Sequence, residues 1–134
     1  MKKTTILLTI FAVFFAANTF AAKTIDGKKI TEVKEWVMKN GKKDRLDKVT
    51  KYDAKGNKVE EVEYNKTGDQ QKRVTFKYND KDKCIEESHF NENNKLEKTI
   101  KIEYNSNGKK SSEKSYFPNG KLKGEHVFEY ELEK

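Results

Sequence analysis

The chain holds one proline, one cysteine, one tryptophan and two methionines among its 134 residues. A single thiol, Cys84, excludes a disulfide framework. A single proline, Pro118, leaves nearly every backbone N–H able to join a hydrogen-bond ladder. Long apolar runs are also missing. The longest, Ile6 to Ala17, has about a dozen residues and falls short of the roughly 20 that a membrane-spanning helix needs. Histidine occurs only at positions 89 and 126, in no ligand-spaced cluster with Cys84, so neither a zinc site nor a histidine acid–base centre is read. Downstream of the N-terminus no segment repeats its apolar residues at the helical period, which leaves strands to carry the fold.

What is present begins with an export signal. Lys2 and Lys3 precede the apolar run, and the small-residue end Thr19 to Ala22 follows it, the pattern of a secretory signal peptide. The expected organisation is a signal peptide over 1–22 and a repeat β-sheet domain over 23–134, in the periplasm or secreted. No cysteine stands near the cleavage site to carry a lipid. The remaining chain has 27 basic and 22 acidic residues, a net charge of +5.

Aromatic residues mark a repeat. Tyr52, Tyr64, Tyr78, Phe90, Tyr104, Tyr116 and Tyr130 are spaced 12, 14, 12, 14, 12 and 14 residues apart, a period of 26 in two unequal halves, and a fixed period of this length signals a repeat architecture. Asp or Asn follows nearly every aromatic. Four residues after each of the first six stands Gly56, Gly68, Asp82, Asn94, Gly108 or Gly120. An Asx side chain caps the start of a turn, and a residue tolerant of positive φ lets the chain turn back, so each half-repeat reads as a strand plus a type I turn with a G1 bulge. Asn40-Gly41 supplies the turn of a degenerate first unit.

Eight strands result, in an antiparallel meander about 38 Å wide at the usual strand spacing. With Tyr52 opposite Lys58 and that pairing carried through every turn, even-numbered positions share one face. Between residues 30 and 132 they hold 21 large apolar residues, against seven at odd positions. The expected fold is an open, twisted single-layer sheet, with a closed up-and-down barrel as the alternative. All six Tyr are expected on one aromatic face, with lysine and glutamate on the other.

The turn strings bear a family likeness. YDAKGN from Tyr52 to Asn57 resembles the YD repeat of Rhs-type surface proteins, and YFPNGKLKGEHVFEY from Tyr116 to Tyr130 is similar to the variant MORN repeat of YwqK-family proteins. The resemblance spans about Met38 to Tyr130 and implies β-hairpin scaffolds for protein or membrane contact. For the YwqK group it also implies an immunity or antitoxin role. This chain lacks most second-strand glycines of the MORN pattern, Gly124 excepted.

The carboxylates lie interleaved with lysines on strands, as solvated cross-strand pairs do, and single out no catalytic couple. Nor do the Asx turns match a calcium loop. The expected function is therefore a non-catalytic binding module without cofactor or metal. Its contact surface is the aromatic face: Tyr52, Tyr64, Phe76, Tyr78, Phe90, Tyr104, Tyr116, Phe128 and Tyr130. The partner is a protein or a second copy. A further expectation is contact with an anionic envelope surface through lysines near the turns, such as Lys42, Lys43, Lys109, Lys110, Lys121 and Lys123. Nucleic acid is not expected for an exported chain with so many acidic residues.

Overall fold

A computed structural model describes residues 24–134; the expected signal peptide lies outside the described residues. The hairpin β1 (Thr24–Ile25) and β2 (Lys28–Lys29) comes first. Eight strands follow: β3 (Glu32–Lys39), β4 (Lys42–Tyr52), β5 (Lys58–Tyr64), β6 (Gln70–Tyr78), β7 (Cys84–Phe90), β8 (Leu96–Tyr104), β9 (Lys110–Tyr116) and β10 (Leu122–Val127). They pair in strict chain order as one antiparallel sheet whose outer strands are β3 and β10. The sheet is open, so the barrel alternative falls. The two-residue turns at Asp26-Gly27 and Asn40-Gly41 have positive φ at both positions, the geometry that matches strand twist in a tight hairpin.

The six longer turns share one hydrogen-bond plan. At the first, the Asp53 N–H donates to the Asn57 carbonyl (2.9 Å) and the Gly56 N–H to the Asp53 carbonyl (3.0 Å). The Asp53 carboxylate accepts the N–H groups of Lys55 (2.8 Å) and Asn57 (2.9 Å). Gly56, Gly68, Asp82, Asn94, Gly108 and Gly120 all take positive φ. In the last turn Phe117 has no side-chain acceptor, and Asn119 accepts the Lys121 N–H instead (3.0 Å).

The register corrects the expectation that the aromatics share a face. Tyr52 does oppose Lys58, but the next pair is Lys51 with Glu60, which leaves Val59 as an extra residue. The same one-residue bulge follows the other five long turns, at Gln71, Ile85, Glu97, Ser111 and Lys123. Because strand side chains alternate with period two, each slip exchanges the faces of odd and even positions on the next strand. Tyr52, Phe76, Tyr78 and Tyr104 therefore lie on one face, here the front, while Tyr64, Phe90 and Tyr116 lie on the back. Phe128 and Tyr130 continue the front series. Ion pairs follow this division: Lys51–Glu60, Lys77–Glu86 and Lys114–Glu103 on the back, Lys48–Glu61, Lys72–Glu63 and Lys110–Glu113 on the front.

Front aromatics end their strands at the rim formed by the turns 53–57, 79–83 and 105–109, the lower rim; back aromatics end at the opposite, upper rim. Half-repeats are thus related by turning the sheet over and end for end. Among the described residues the buried apolar side chains are Val49 and Val62 on the back and Val74 and Ile102 on the front, and no second layer covers either face. Long basic side chains do much of the covering. Arg73 lies over the Phe90 ring at 3.9 Å, Lys58 over Phe76 at 4.6 Å and Lys101 over Tyr116 at 5.5 Å. Each such contact contributes about 0.5–1 kcal/mol at an exposed site, and the lysine stem shields apolar surface as well.

Candidate binding surface

The front of the sheet near the lower rim concentrates the apolar side chains. Strands β6 and β8 supply Val74, Phe76, Tyr78 and Ile100, Ile102, Tyr104, since their alternate residues from the middle to the rim are apolar. Between them β7 brings Cys84, opposite Tyr78, and β4 adds Tyr52. The surface is tied to the bulges by tyrosine hydroxyls. Tyr78 donates to the Lys58 carbonyl (2.7 Å), Tyr104 to the Cys84 carbonyl (2.6 Å) and Tyr130 to the Lys110 carbonyl (2.9 Å). Each acceptor directly precedes an extra bulge residue, where the ladder is interrupted and a carbonyl needs another partner.

The Tyr78 and Tyr104 rings are half-buried, and burial moves the acidities of these two. It pushes the Tyr78 hydroxyl well above the usual tyrosine range, helped by Cys84 and Asp53. Tyr104 rises to about 12, through burial first and then the neighbouring Cys84.

Across the same surface runs a row of glutamates at the repeat spacing: Glu61, Glu87 and Glu113. Glu61 pairs with Lys58 at 3.0 Å, and Glu113 pairs with Lys110. Cys84 occupies the corresponding place in the middle repeat, so Glu87 turns to His89 at 3.1 Å. That hydrogen bond holds the Glu87 carboxyl below its ordinary range against the opposing effect of burial. His89 thus joins the front surface, correcting its expected place on the charged face. Burial pushes the Cys84 thiol up to about 11, the reverse of what a nucleophilic thiol requires. No three His, Cys, Asp or Glu side chains among the described residues converge as a metal-ligand set. The Glu61, Glu87 and Glu113 row was open to sequence reasoning, because its spacing equals that of the tyrosines.

The remaining expected contact residues are divided. Tyr64, Phe90 and Tyr116 form a thinner aromatic row on the back, with Phe90 beneath Arg73 and opposite Leu96, and Tyr116 beneath Lys101 and opposite Leu122. Phe128 and Tyr130 extend the front strip beyond β10 and are 37% and 50% exposed. Several lysines expected to face an anionic surface have partners instead. Lys43 lies over Trp36, Lys123 over Phe117 and Lys110 against Glu113. Along the lower rim Lys55 and Asn57 of one turn reach Asp82 of the next (3.2 and 3.0 Å), stitching the rim together. No protein-family model matches the chain, and no curated protein matches it.

Proposed function

We propose that this chain is an exported, non-catalytic interaction module whose front strip, from Tyr52 across Phe76, Ile100 and Ile102 to Phe128, docks another protein through apolar and aromatic contacts. One observation carries the reading: a contiguous apolar strip lies on a single-layer sheet with no described residue folded over it, Phe128 and Tyr130 keeping 37% and 50% of their surface exposed. Apolar surface of this kind gains free energy when a partner removes it from water, at about 25 cal/mol per Å². The glutamate row and its cations would orient the partner, because polar contacts set register more than they add affinity. The expected envelope-lipid contact has less support, as the partnered lysines above already serve the fold.

The test uses a photo-crosslinking residue at Ile100 or Phe128 on the front, and at Lys101 or Glu125 on the back, in cells producing the protein at native levels. The expected result is one discrete adduct, common to both front positions and missing from both back positions. Adducts of equal yield from the two faces would overturn the front-strip assignment.

A further inference from the structure

The two edges of the sheet fit one another. Strands β3 and β10 each have a neighbour on one side only, and both carry exposed apolar residues: Trp36 and Met38 on β3, 38% and 56% exposed, and Val127 on β10, 68% exposed. Open edges with unpaired N–H and C=O groups are templates for further strand pairing. The repeat shows what such a pairing would look like, because β4–β5, β6–β7 and β8–β9 use one register displaced by whole periods.

In that register Val49 opposes Val62 and Lys51 opposes Glu60; one repeat later, Lys77 opposes Glu86. The salt bridges there measure 2.8 and 2.7 Å. Advancing by whole periods, the places of Val49 and Lys51 fall to Val127 and Glu129 beside the free edge of β10. Stepping back one period, the places of Val62 and Glu60 fall to Trp36 and Lys34 on the free edge of β3. The Phe128 N–H donates inward to the Ser111 carbonyl (3.0 Å), so Val127 and Glu129, its neighbours, direct their backbone groups outward.

We propose that the β10 edge of one copy receives the β3 edge of a second copy, continuing the meander head to tail. Val127 then meets Trp36 of the second copy, and Glu129 meets its Lys34. The Lys–Glu pairs inside the sheet recur at the junction with their signs exchanged. Phe128 comes opposite Glu35, as Phe76 and Ile102 come opposite Glu87 and Glu113 within the chain. A symmetric β10–β10 pairing centred on Val127 is disfavoured, because it sets Glu125 against Glu129. Since the joined patches differ, each added copy presents a fresh edge, and association does not close at a dimer. The proposal stands apart from the front-strip reading and needs neither Phe76 nor Ile102.

Sedimentation velocity of the purified protein over a concentration series tests it, with circular dichroism to verify folding of the surface variants. Wild type should show a mass that rises with concentration past the dimer. Lys34→Glu and Glu129→Lys should each raise the half-association concentration at least tenfold. An equimolar mixture of the two variants should associate like wild type, since each mutant edge then meets an opposite charge, and the double variant alone should do the same. A wild type that stays monomeric throughout, single variants that associate unchanged, or a mixture no better than its components would overturn the head-to-tail junction.

Discussion

Replacing Tyr104 with Phe removes one oxygen atom and little else, which makes it a direct probe of how the bulges are held. The lost bond, 2.6 Å to the Cys84 carbonyl, is worth about 0.5–1.5 kcal/mol net, and an orphaned buried acceptor adds up to about 1–3 kcal/mol. The ring is half-buried, so the carbonyl recovers part of its solvation from water, and a loss of about 1–2 kcal/mol is expected. For a domain of this size that corresponds to a fall in Tm of about 4–8 °C. Calorimetry or thermal circular dichroism reads it directly. Tyr64→Phe and Tyr116→Phe are the controls, because those back-face hydroxyls make no hydrogen bond among the described residues; each should shift Tm by less than about 2 °C, as surface substitutions usually cost under about 0.5 kcal/mol. A Tyr104→Phe variant as stable as wild type, or one no less stable than Tyr64→Phe, would refute the view that tyrosine hydroxyls secure the bulges.

Alkaline titration should unfold the sheet from above pH 10, because Tyr104 loses its proton at about 12 when folded against 10 unfolded; the stability it contributes is complete below pH 10 and is lost as pH rises toward 12. Tyrosinate absorbance followed alongside circular dichroism should show a late phase that Tyr104→Phe diminishes. The Cys84 thiol, pushed up to about 11, should alkylate far more slowly at pH 8 in the native protein than in denaturant, and equal rates would contradict its half-buried setting. Gly108→Ala should cost about 1–2 kcal/mol through its φ of 72°, although an added methyl would meet nothing closer than 3.8 Å. Gly124→Ala, free of both strain and neighbours, should be close to neutral in the same chemical denaturation assay. Deleting Gln71 removes the bulge residue that lets Glu63 meet Lys72 and Tyr64 meet Gln70; the variant should lose cooperative unfolding or several kcal/mol of unfolding free energy, and wild-type stability would disprove the register.

The turns were legible because their chemistry is local. Asp53 and Gly56 sit three residues apart and bond each other's backbone, so their identities reveal the geometry without knowledge of the rest of the sheet. Strand count and open meander followed from the same turns. The faces were not legible. Both half-periods, 12 and 14 residues, are even, so the aromatics keep one parity whether or not the ladder slips between them. The slipping residues Val59, Gln71, Ile85, Glu97, Ser111 and Lys123 share no chemistry that could announce a bulge. A bulge is a property of two strands meeting, set by twist and by the need to place Tyr78 over the Lys58 carbonyl, and no single segment encodes it. The Asp26-Gly27 hairpin carried a readable turn signal that the repeat spacing overshadowed. Glu87 and His89, two residues apart on β7, share a face in either register; what the parity hid is that this face also carries Tyr78 and Tyr104.

The inversion at every hairpin sets the quantum in which such a sheet can lengthen or shorten. Inserting one half-repeat would keep the hydrogen-bond ladder intact, yet move every downstream Val-Phe-Tyr series to the opposite face and rim, breaking the front strip in two. Only a whole 26-residue unit, two strands and about 10 Å of added width, returns the pattern to itself. Gene duplication acting on this sequence is therefore expected to preserve strands in pairs, with the strip growing sideways by one tyrosine, one glutamate and one bulge carbonyl at a time.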